Sequence, residues 1–241
     1  MKIQNKIQLT TSKALIQFHE RVKKKYNLVE YKSKNIKTIF FGIYYKEDFI
    51  KIRNHIGFKI LIFGGTDCNY KYNYFKYFID NLKNIKINEI WVISDDLYER
   101  TIKHFPNEII KKVNFNLVDD NIFYPRNKGN KVYLYDGYSK KNSIRREVYR
   151  IDLLERLTKE LPEFEYIWSS DLNLPHEKMP EIYSECFIGI RLTENDGNAN
   201  TVQEFESMNI PIIHNQSEYG LKWENLEDIK KYIIKLFYKY N

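Results

Sequence analysis

The chain has 241 residues, enough for one large domain or two small ones of about 100–150 residues each. Hydrophobic residues make up 43% and charged residues 29%, a balance that excludes an intrinsically disordered chain. The formal net charge of +7 favours anionic partners such as nucleotide diphosphates, nucleic acid or an acidic membrane surface. The positive charge is spread along the chain, so a solvated basic surface without a specific partner is the alternative.

The two cysteines, Cys68 and Cys186, are too few for a disulfide framework and have no metal-ligand spacing, and the histidines have none either. No apolar run approaches the roughly 18–20 residues that cross a bilayer, and the N-terminal residues contain no signal-peptide core. We therefore expect reduced thiols, no bound metal and a cytoplasmic protein without a transmembrane segment.

Hydrophobic periodicity predicts a first helix over 12–25 and then an alternation of strands and helices. The strands are short and almost continuously apolar, which is typical of parallel sheets covered on both faces. The predicted strands are 38–43, 59–63, 89–93 and 113–118, followed by 131–135, 165–168, 187–191 and 211–214. The predicted helices are 47–54, 72–82 and 96–105, followed by 145–160, 177–184, 201–208 and 226–238. This pattern predicts an α/β fold.

The segment 124–130 is rich in Pro, Gly and Asn and precedes a predicted strand, so we place a domain boundary there. The N-terminal domain is predicted at 1–126 and the C-terminal domain at 127–241. Two Rossmann-like halves of this kind would face each other across a cleft. Ligands of open α/β sheets bind beyond the carboxyl ends of the strands, so we expect the chemistry at those ends.

The most informative segment, 196–213, combines an acidic residue, a Gly-Asn turn, a helix cap, a carboxylate and an apolar strand. In chain order these are Asp196, Gly197-Asn198, Asn200 and Thr201, Glu204, and Pro211-Ile212-Ile213. The free N–H groups of a first helical turn bind anions, and a carboxylate one turn further on can accept hydrogen bonds from two ribose hydroxyls. A capped helix with an exposed Glu is the alternative, but the joint pattern favours a nucleotide-linked ligand.

This segment resembles the donor-binding region of the retaining, glycogen-synthase-like GT-B glycosyltransferases, with a donor domain similar to glycosyltransferase families 4 and 1. These enzymes commonly carry a Glu-x7-Glu element before a small-residue helix and a Gly-x-Pro-Val-Ile strand. Asp196 and Glu204 occupy the two acidic positions. Asp196 is one methylene shorter than the usual Glu, and Asn209 replaces the usual Gly, which is tolerable because Asn accepts left-handed conformations.

The resemblance assigns roles to individual residues. It implies that Glu204 binds the donor ribose, that Asp196 lies near the hydroxyls of the transferred sugar, and that the diphosphate is met by backbone amides and by Asn200 and Thr201. Asn198 is a further expected donor-binding residue. Upstream, Tyr135-Asp136-Gly137-Tyr138 matches the first strand and glycine turn of the donor domain. A basic pair usually follows that turn and neutralises the leaving diphosphate. Of Lys140, Lys141, Arg145 and Arg146, we select Arg145 with Lys140.

Two further expectations come from a helix start and a strand end. His176 precedes a predicted helix, and we assign it to the nucleotide-base pocket. Gly64-Gly65-Thr66-Asp67 follows a predicted strand, where glycines allow a ligand to approach the backbone. Gly65, Thr66 and Asp67 are therefore acceptor-side candidates, with a tight turn that binds nothing as the alternative.

The resemblance implies a hexosyltransferase-type glycosyltransferase with two Rossmann-like domains, which moves a sugar from a nucleotide-diphosphate sugar to a glycan or glycoconjugate acceptor. It also implies retention of the anomeric configuration, no obligatory metal and no cofactor besides the donor. A glycosyltransferase acting on nucleic acid is one alternative, motivated by charge and aromatic content. A catalytically inactive nucleotide-sugar-binding partner subunit is another, since the N-terminal half is short. A dinucleotide-dependent dehydrogenase also fits the α/β pattern, but it is disfavoured because the sequence contains no Gly-x-Gly-x-x-Gly fingerprint.

Overall fold

The computed structural model describes residues 6–69, 73–113, 117–137, 143–193, 199–215 and 219–240. The chain divides after Leu117 into two compact units. Each unit contains one parallel sheet with its helices, so the predicted α/β class is confirmed. The domain boundary suggested by the sequence, after Arg126, falls inside the second unit. Among the described residues, no helix combines the length and the apolar character needed to cross a bilayer.

The first unit contains a six-stranded parallel sheet in the order β2-β1-β3-β4-β5-β6. Its order reverses between β1 and β3. The strands are β1 (Gln8–Thr11), β2 (Val29–Glu30), β3 (Thr38–Phe41), β4 (Lys59–Ile62), β5 (Glu89–Val92) and β6 (Ile110–Lys112). The helices are α1 (His19–Lys25), α2 (Lys46–Asn54), α3 (Asn73–Leu82) and α4 (Asp95–His104).

Both faces of this sheet carry a hydrophobic core. Every residue of β3 and β4 is buried, which accounts for their nearly continuous apolar sequence. Phe40 and Leu61 point into a core shared with α2 and α3, whereas Ile39 and Ile60 point into a second core with Val22 of α1. Covering both faces in this way leaves the ends of the strands as the exposed part of the sheet.

The second unit contains a four-stranded parallel sheet in the order β10-β9-β7-β8, which reverses between β7 and β9. Its strands are β7 (Lys131–Leu134), β8 (Tyr166–Trp168), β9 (Cys186–Ile190) and β10 (Ile212–Ile213). Its helices are α5 (Ser143–Val148), α6 (Ile151–Glu160), α7 (Met179–Ser184), α8 (Asn200–Ser207) and α9 (Leu226–Tyr240). All the residues of β9 are buried.

The packing of α8 on β9 depends on Gly189. A Cβ atom at this position would lie 2.5 Å from the ring of Phe205, which projects from α8. Only a residue without a side chain lets the helix approach the strand this closely. Phe205 also contacts Tyr133 and Tyr183 in the same core. The close approach of α8 to β9 is therefore fixed by core packing.

Three predicted elements differ from the observed ones. The helix predicted over 12–25 is a 3-10 helix, Lys13–Phe18, followed by α1. The helix predicted over 145–160 is two helices, because Arg150 adopts a left-handed conformation with φ 50°. The strand predicted at 113–118 lies partly outside the described residues, and the observed strand β6 ends before it, at Lys112. The short strands β1 and β2 were not predicted.

Candidate functional site

The reversal of strand order between β7 and β9 defines the candidate site. Loops that leave two neighbouring strands in opposite directions open a crevice at their carboxyl ends, where ligands of α/β proteins bind. The two ends are adjacent here, because Tyr135 N donates to Ile190 O at 2.9 Å. The donor-site residues predicted on these two segments are Gly137, which follows β7, and Asn200, Thr201 and Glu204, which follow β9.

Arg191, the first residue after β9, connects the two sides of the crevice. Its guanidinium carbon lies 3.8 Å from the centroid of the Tyr135 ring and 5.7 Å from that of Tyr149. Its NH1 lies 3.5 Å from Oγ1 of Thr201, in the first turn of α8, which makes a long hydrogen bond. The residue is 7% exposed. A permanently charged group is therefore held between the β7 turn and the start of α8.

Arg191 is not among the site residues predicted from the sequence. Its signal is a single arginine within the apolar run Cys186 to Leu192, where a charged residue is otherwise not expected. Tyr135 and Tyr149, its stacking partners, were also not singled out.

The turn after β7 is tightly constrained. Gly137 has a φ of +65°, and a Cβ there would lie 2.1 Å from the Tyr149 ring. Asp136 is buried, its carboxylate accepts a hydrogen bond from Ser169 Oγ at 2.6 Å, and its backbone N–H donates to the same oxygen at 3.0 Å. The turn is thereby joined to the end of β8. Gly137 is thus required by the backbone, whether or not a ligand also approaches it.

Glu204 lies one turn into α8 and is 2% exposed. Its Oε1 atom is 2.6 Å from His176 Nε2 and also accepts a hydrogen bond from the side-chain amide of Asn200. Its Oε2 atom accepts from Tyr183 OH at 2.9 Å. Three of the predicted donor-site residues therefore form one cluster, together with Tyr183, which the sequence analysis missed. We call these four residues the Glu204 cluster.

The protonation of Tyr183 follows from its environment. Burial raises its pKa well above the ordinary value, and the neighbouring Glu204 carboxylate adds to this effect. The phenol therefore stays neutral and donates. The His176 side chain is 32% exposed, and its ring centroid lies 5.1 Å from that of the buried Phe123. His176 is thus the cluster member at the boundary between the core and solvent.

The start of α8 differs from the prediction. The N-cap residue is Ala199, which has no side-chain hydrogen-bonding group, so the expected cap by Asn200 or Thr201 is wrong. Both residues lie inside the first turn, where Asn200 donates to Glu204 and Thr201 lies beside Arg191. In the described part of the chain, the first N–H groups of α8 receive no side-chain cap from the N-cap residue.

The acceptor-side candidates lie at the end of β4. We expected Asp67 to face a ligand, but its side chain is buried and accepts hydrogen bonds from three backbone N–H groups, those of Ile43, Gly64 and Gly65, at 2.9–3.1 Å. Burial raises its pKa to about 6, against the opposing effect of these bonds. The carboxylate joins the ends of β3 and β4. Gly65 has a φ of +136° and open space where a Cβ would lie, and the side chain of Thr66 lies outside the described residues.

The predicted catalytic residues are mostly not described. Lys140, Asp196 and Asn198 lie outside the described residues, and Arg145 is described only as part of the α5 backbone. Arg146, the neighbouring basic candidate, donates to Glu155 Oε2 at 2.8 Å. Their roles at the donor site stay predictions.

Within the described residues, one group of side chains has the composition of a metal site. His19, Glu20 and Glu30 offer ligand atoms within 4.8 Å of one another on the first unit. The Lys23 ammonium lies 2.6 Å from a carboxylate oxygen of both Glu20 and Glu30. A cation of the protein itself is therefore already paired with both carboxylates.

No protein-family model matches the chain, and no curated protein matches its sequence. The chain is, however, similar to solved structures. The chain is similar to sucrose-phosphate synthase from Thermosynechococcus elongatus, with 12% identity and a TM-score of 0.55, covering 91% of this chain and 67% of that one. It is similar to TarM, with 15% identity and a TM-score of 0.58, covering 92% of this chain and 51% of TarM.

A third similarity is weaker. The Glycosylation Associate Protein (Gap123) complex from Streptococcus agalactiae has 11% identity and a TM-score of 0.49, with 92% of this chain and 52% of that chain covered. The chain thus spans about half the length of two of these structures. The similarity to the synthase and to TarM confirms the predicted architecture: the chain has the GT-B glycosyltransferase fold.

Proposed function

We propose that the protein is a glycosyltransferase of the hexosyltransferase type, which transfers a sugar from a nucleotide-diphosphate donor to a glycan or glycoconjugate acceptor. The GT-B fold supports this proposal, and one of the proteins that share it is named as a synthase of a sugar phosphate. We assign the reaction to the cytoplasm, which fits two free thiols, Cys68 and Cys186, both buried.

The observation that carries the proposal is the position of Arg191. This buried guanidinium lies at the reversal point of the sheet, beside the first turn of α8. A leaving nucleoside diphosphate gains negative charge as the glycosidic bond breaks. A fixed cation and the N–H groups of a first helical turn stabilise such charge without reorganising during the reaction. In the proposed reaction, Arg191 contributes its positive charge to binding of the diphosphate.

The finer mechanism is proposed by resemblance. Lys140 and Arg145 join Arg191 in neutralising the leaving group, and Asp196 orients the transferred sugar. The anomeric configuration is retained, and the leaving phosphate assists removal of the acceptor's proton. With these cations at the diphosphate, the reaction needs no metal. The protein's own contribution is positioning and charge stabilisation.

The first test is a thermal-shift screen of UDP-, GDP-, ADP- and CMP-linked sugars on the whole chain. A ligand at 100 times its dissociation constant adds about 2.7 kcal/mol to the free energy of unfolding, so a binding donor raises the melting temperature measurably. If no donor and no nucleoside diphosphate shifts the melting temperature, the proposal is wrong.

The second test uses Arg191→Gln, which removes the charge but keeps a polar side chain. We expect about 10- to 100-fold weaker binding of the nucleoside diphosphate, the magnitude of one lost charged hydrogen bond. Binding of the matching nucleoside, which has no phosphate, should be unchanged. Equal losses for both ligands would argue against a diphosphate contact. Release of nucleotide from the donor by the unmodified protein would separate an enzyme from an inactive binding subunit.

A further inference from the structure

We propose that the outward face of α9 is a docking surface for an anionic lipid bilayer. Four exposed residues, at positions i, i+3, i+4 and i+7, form one stripe on this helix, and we call them the α9 patch: Lys231, Ile234, Lys235 and Tyr238. Docking at this patch is independent of the proposed function, because none of the four residues belongs to the candidate donor site.

The buried face of α9 fixes the direction of the patch. Leu226 and Ile233 lie in the core of the second unit, where the helix packs on α6 and β9. Phe237, one turn after Ile233, packs against the same core, and its ring centroid lies 5.1 Å from that of Phe164 and 5.5 Å from that of Phe187. The patch occupies the opposite side of the helix, which faces solvent.

The charge along α9 is unevenly distributed. Its two acidic residues lie in the first turn, and both are engaged. Glu227 accepts from Lys230 Nζ at 2.7 Å, and Asp228 accepts from two backbone N–H groups just before the helix. From position 229 to position 240 the helix contains four lysines and no carboxylate. Lys231 and Lys235 form no ion pair with any residue in the described ranges, so their charge is available to a partner.

The C-terminal end of α9 adds further cations and aromatic surface. The centroid of the Tyr240 ring lies 5.3 Å from Lys239 Nζ and 4.1 Å from Nζ of Lys128, which precedes β7. Tyr238 is 80% exposed. Tyrosine rings settle at the level of the lipid head groups, and lysines are attracted to anionic head groups. Both types of residue therefore extend the patch in the same chemical direction.

The apolar part of the patch favours a bilayer over another polyanion. Lysines alone would also fit nucleic acid. Ile234, however, is 39% exposed and lines an open groove together with Lys231 and Lys235, and a phosphate backbone offers this side chain nothing to pack against. At a bilayer, an apolar side chain enters the boundary between head groups and acyl chains, while neighbouring lysines extend back to the head groups. Docking through so few apolar side chains is reversible.

The experiment measures cosedimentation of the whole chain with lipid vesicles. One set of vesicles contains phosphatidylcholine and phosphatidylserine in equal amounts, and the other contains phosphatidylcholine alone. We expect binding to the anionic vesicles only. This binding should weaken as the salt concentration rises, because salt screens the attraction between exposed charges. Equal binding to both sets of vesicles, or binding to neither, would overturn the proposal.

A double variant tests the charge of the patch. Lys231→Gln with Lys235→Gln should weaken binding to the anionic vesicles about 25-fold, which is about fivefold for each lysine near an anionic surface. The matched control is Lys24→Gln with Lys103→Gln, which removes two exposed lysines from α1 and α4. It has the same net charge and should bind almost as tightly as the unmodified chain. Equal losses in the two double variants would assign the attraction to net charge and not to α9.

A single variant tests the apolar part. Ile234→Ser should weaken binding to the anionic vesicles about 5- to 10-fold, because less apolar surface is buried in the bilayer. Ile102→Ser is the matched control, since Ile102 on α4 is 38% exposed, and it should leave binding unchanged. Unchanged binding by Ile234→Ser would show that no apolar side chain enters the bilayer. Tighter binding to duplex DNA than to the vesicles would identify nucleic acid as the partner. Either result contradicts the proposal.

Discussion

Asp67 shows how one side chain organises the end of the first sheet. Its carboxylate accepts from the backbone N–H groups of Ile43, after β3, and of Gly64 and Gly65, after β4. These donors would otherwise be unpaired next to a buried turn, which is costly. The burial that makes the arrangement rigid also disfavours the charge, so the pKa of Asp67 rises to about 6.

This raised pKa predicts a specific pH dependence of stability. An unfolded Asp has a pKa of about 3.9, so between about pH 4 and pH 6 the folded chain binds a proton that the unfolded chain has lost. The contribution of Asp67 to the free energy of unfolding is therefore present below about pH 4 and is lost as the pH rises through about 6.

We expect the difference in free energy of unfolding between the unmodified chain and Asp67→Asn to fall by about 2 kcal/mol from pH 4 to pH 7. Urea denaturation at a series of pH values measures it. Taking the difference removes the contributions of other carboxylates, such as Glu30 and Glu160, whose pKa values are lowered by ion pairs. Parallel curves for the two proteins would refute the raised pKa.

At the residue scale, the Glu204 cluster shows which part of the site the sequence can predict and which part it cannot. The motif around Glu204 identified the residue. Its partners Tyr183 and His176, however, lie 21 and 28 positions away in the chain, on elements that only the tertiary fold brings together. A local pattern therefore indicates which residue matters but not whether its side chain faces a ligand or the core. Arg191 was missed for the same reason, since its stacking on Tyr135 is a tertiary contact.

At the scale of elements, the C-terminal end of α8 is the most predictable feature. The sequence has Asn209 where the resembling family has Gly, and the structure gives this residue a left-handed φ of 55°. Ile210 N donates to Phe205 O and Asn209 N donates to Glu206 O, both at 2.9 Å. These two bonds form a Schellman motif, which requires a left-handed residue at this position. The expectation that Asn would tolerate it is confirmed.

This motif predicts opposite effects of two substitutions at an exposed position. Asn209→Gly should raise the free energy of unfolding by up to about 1 kcal/mol, because glycine adopts this φ without steric cost. Asn209→Ala should lower it by about 1 kcal/mol, since alanine keeps the Cβ that clashes with the following carbonyl and loses the short polar side chain that lets Asn adopt this conformation. Urea denaturation of the three proteins measures both changes. A destabilising Gly variant would show that the Asn side chain itself is needed.

Two features that the sequence did not predict, strand β1 and the break before α6, each have a physical cause. β1 is polar in sequence, yet Gln8 is buried, because its side chain bonds to Ser33 O and Thr38 Oγ1 and accepts from the backbone of Lys32 and Ser33. Hydrophobic patterns cannot show a strand whose buried polar group is paired. The break before α6 likewise depends on one residue, Arg150, in a conformation that its side chain does not favour.

At the scale of the whole molecule, the alternation of apolar strands with amphipathic helices was sufficient to predict two parallel α/β sheets. It did not define the strand order. That order depends on which side of the existing strands each crossover connection places the next strand, and the hydrophobic pattern does not record this choice. That order decides where the site lies, since the reversal between β7 and β9 brings Tyr135 next to Arg191. The strand order, which the sequence pattern does not show, therefore explains why the motif residues form one site.

The division of the chain gives the last prediction. Phe123 lies before the boundary suggested by the sequence, yet it is 1% exposed in the core of the second unit, with ring centroids 5.1 Å from His176 and 6.2 Å from Tyr183. Val118 and Ile122 pack against the same core. A fragment of residues 118–241 therefore retains these contacts, whereas a fragment of residues 127–241 loses them.

We expect the 118–241 fragment to unfold cooperatively on heating and to keep the nucleotide affinity of the whole chain, because every described member of the candidate donor site belongs to the second unit. The 127–241 fragment should be less stable by at least about 3–5 kcal/mol, the usual cost of deleting a buried Phe. Phe123→Ala in the longer fragment is the matched control and should reproduce most of that loss. Equal stability of the two fragments, measured by urea denaturation, would place the boundary after Arg126 instead.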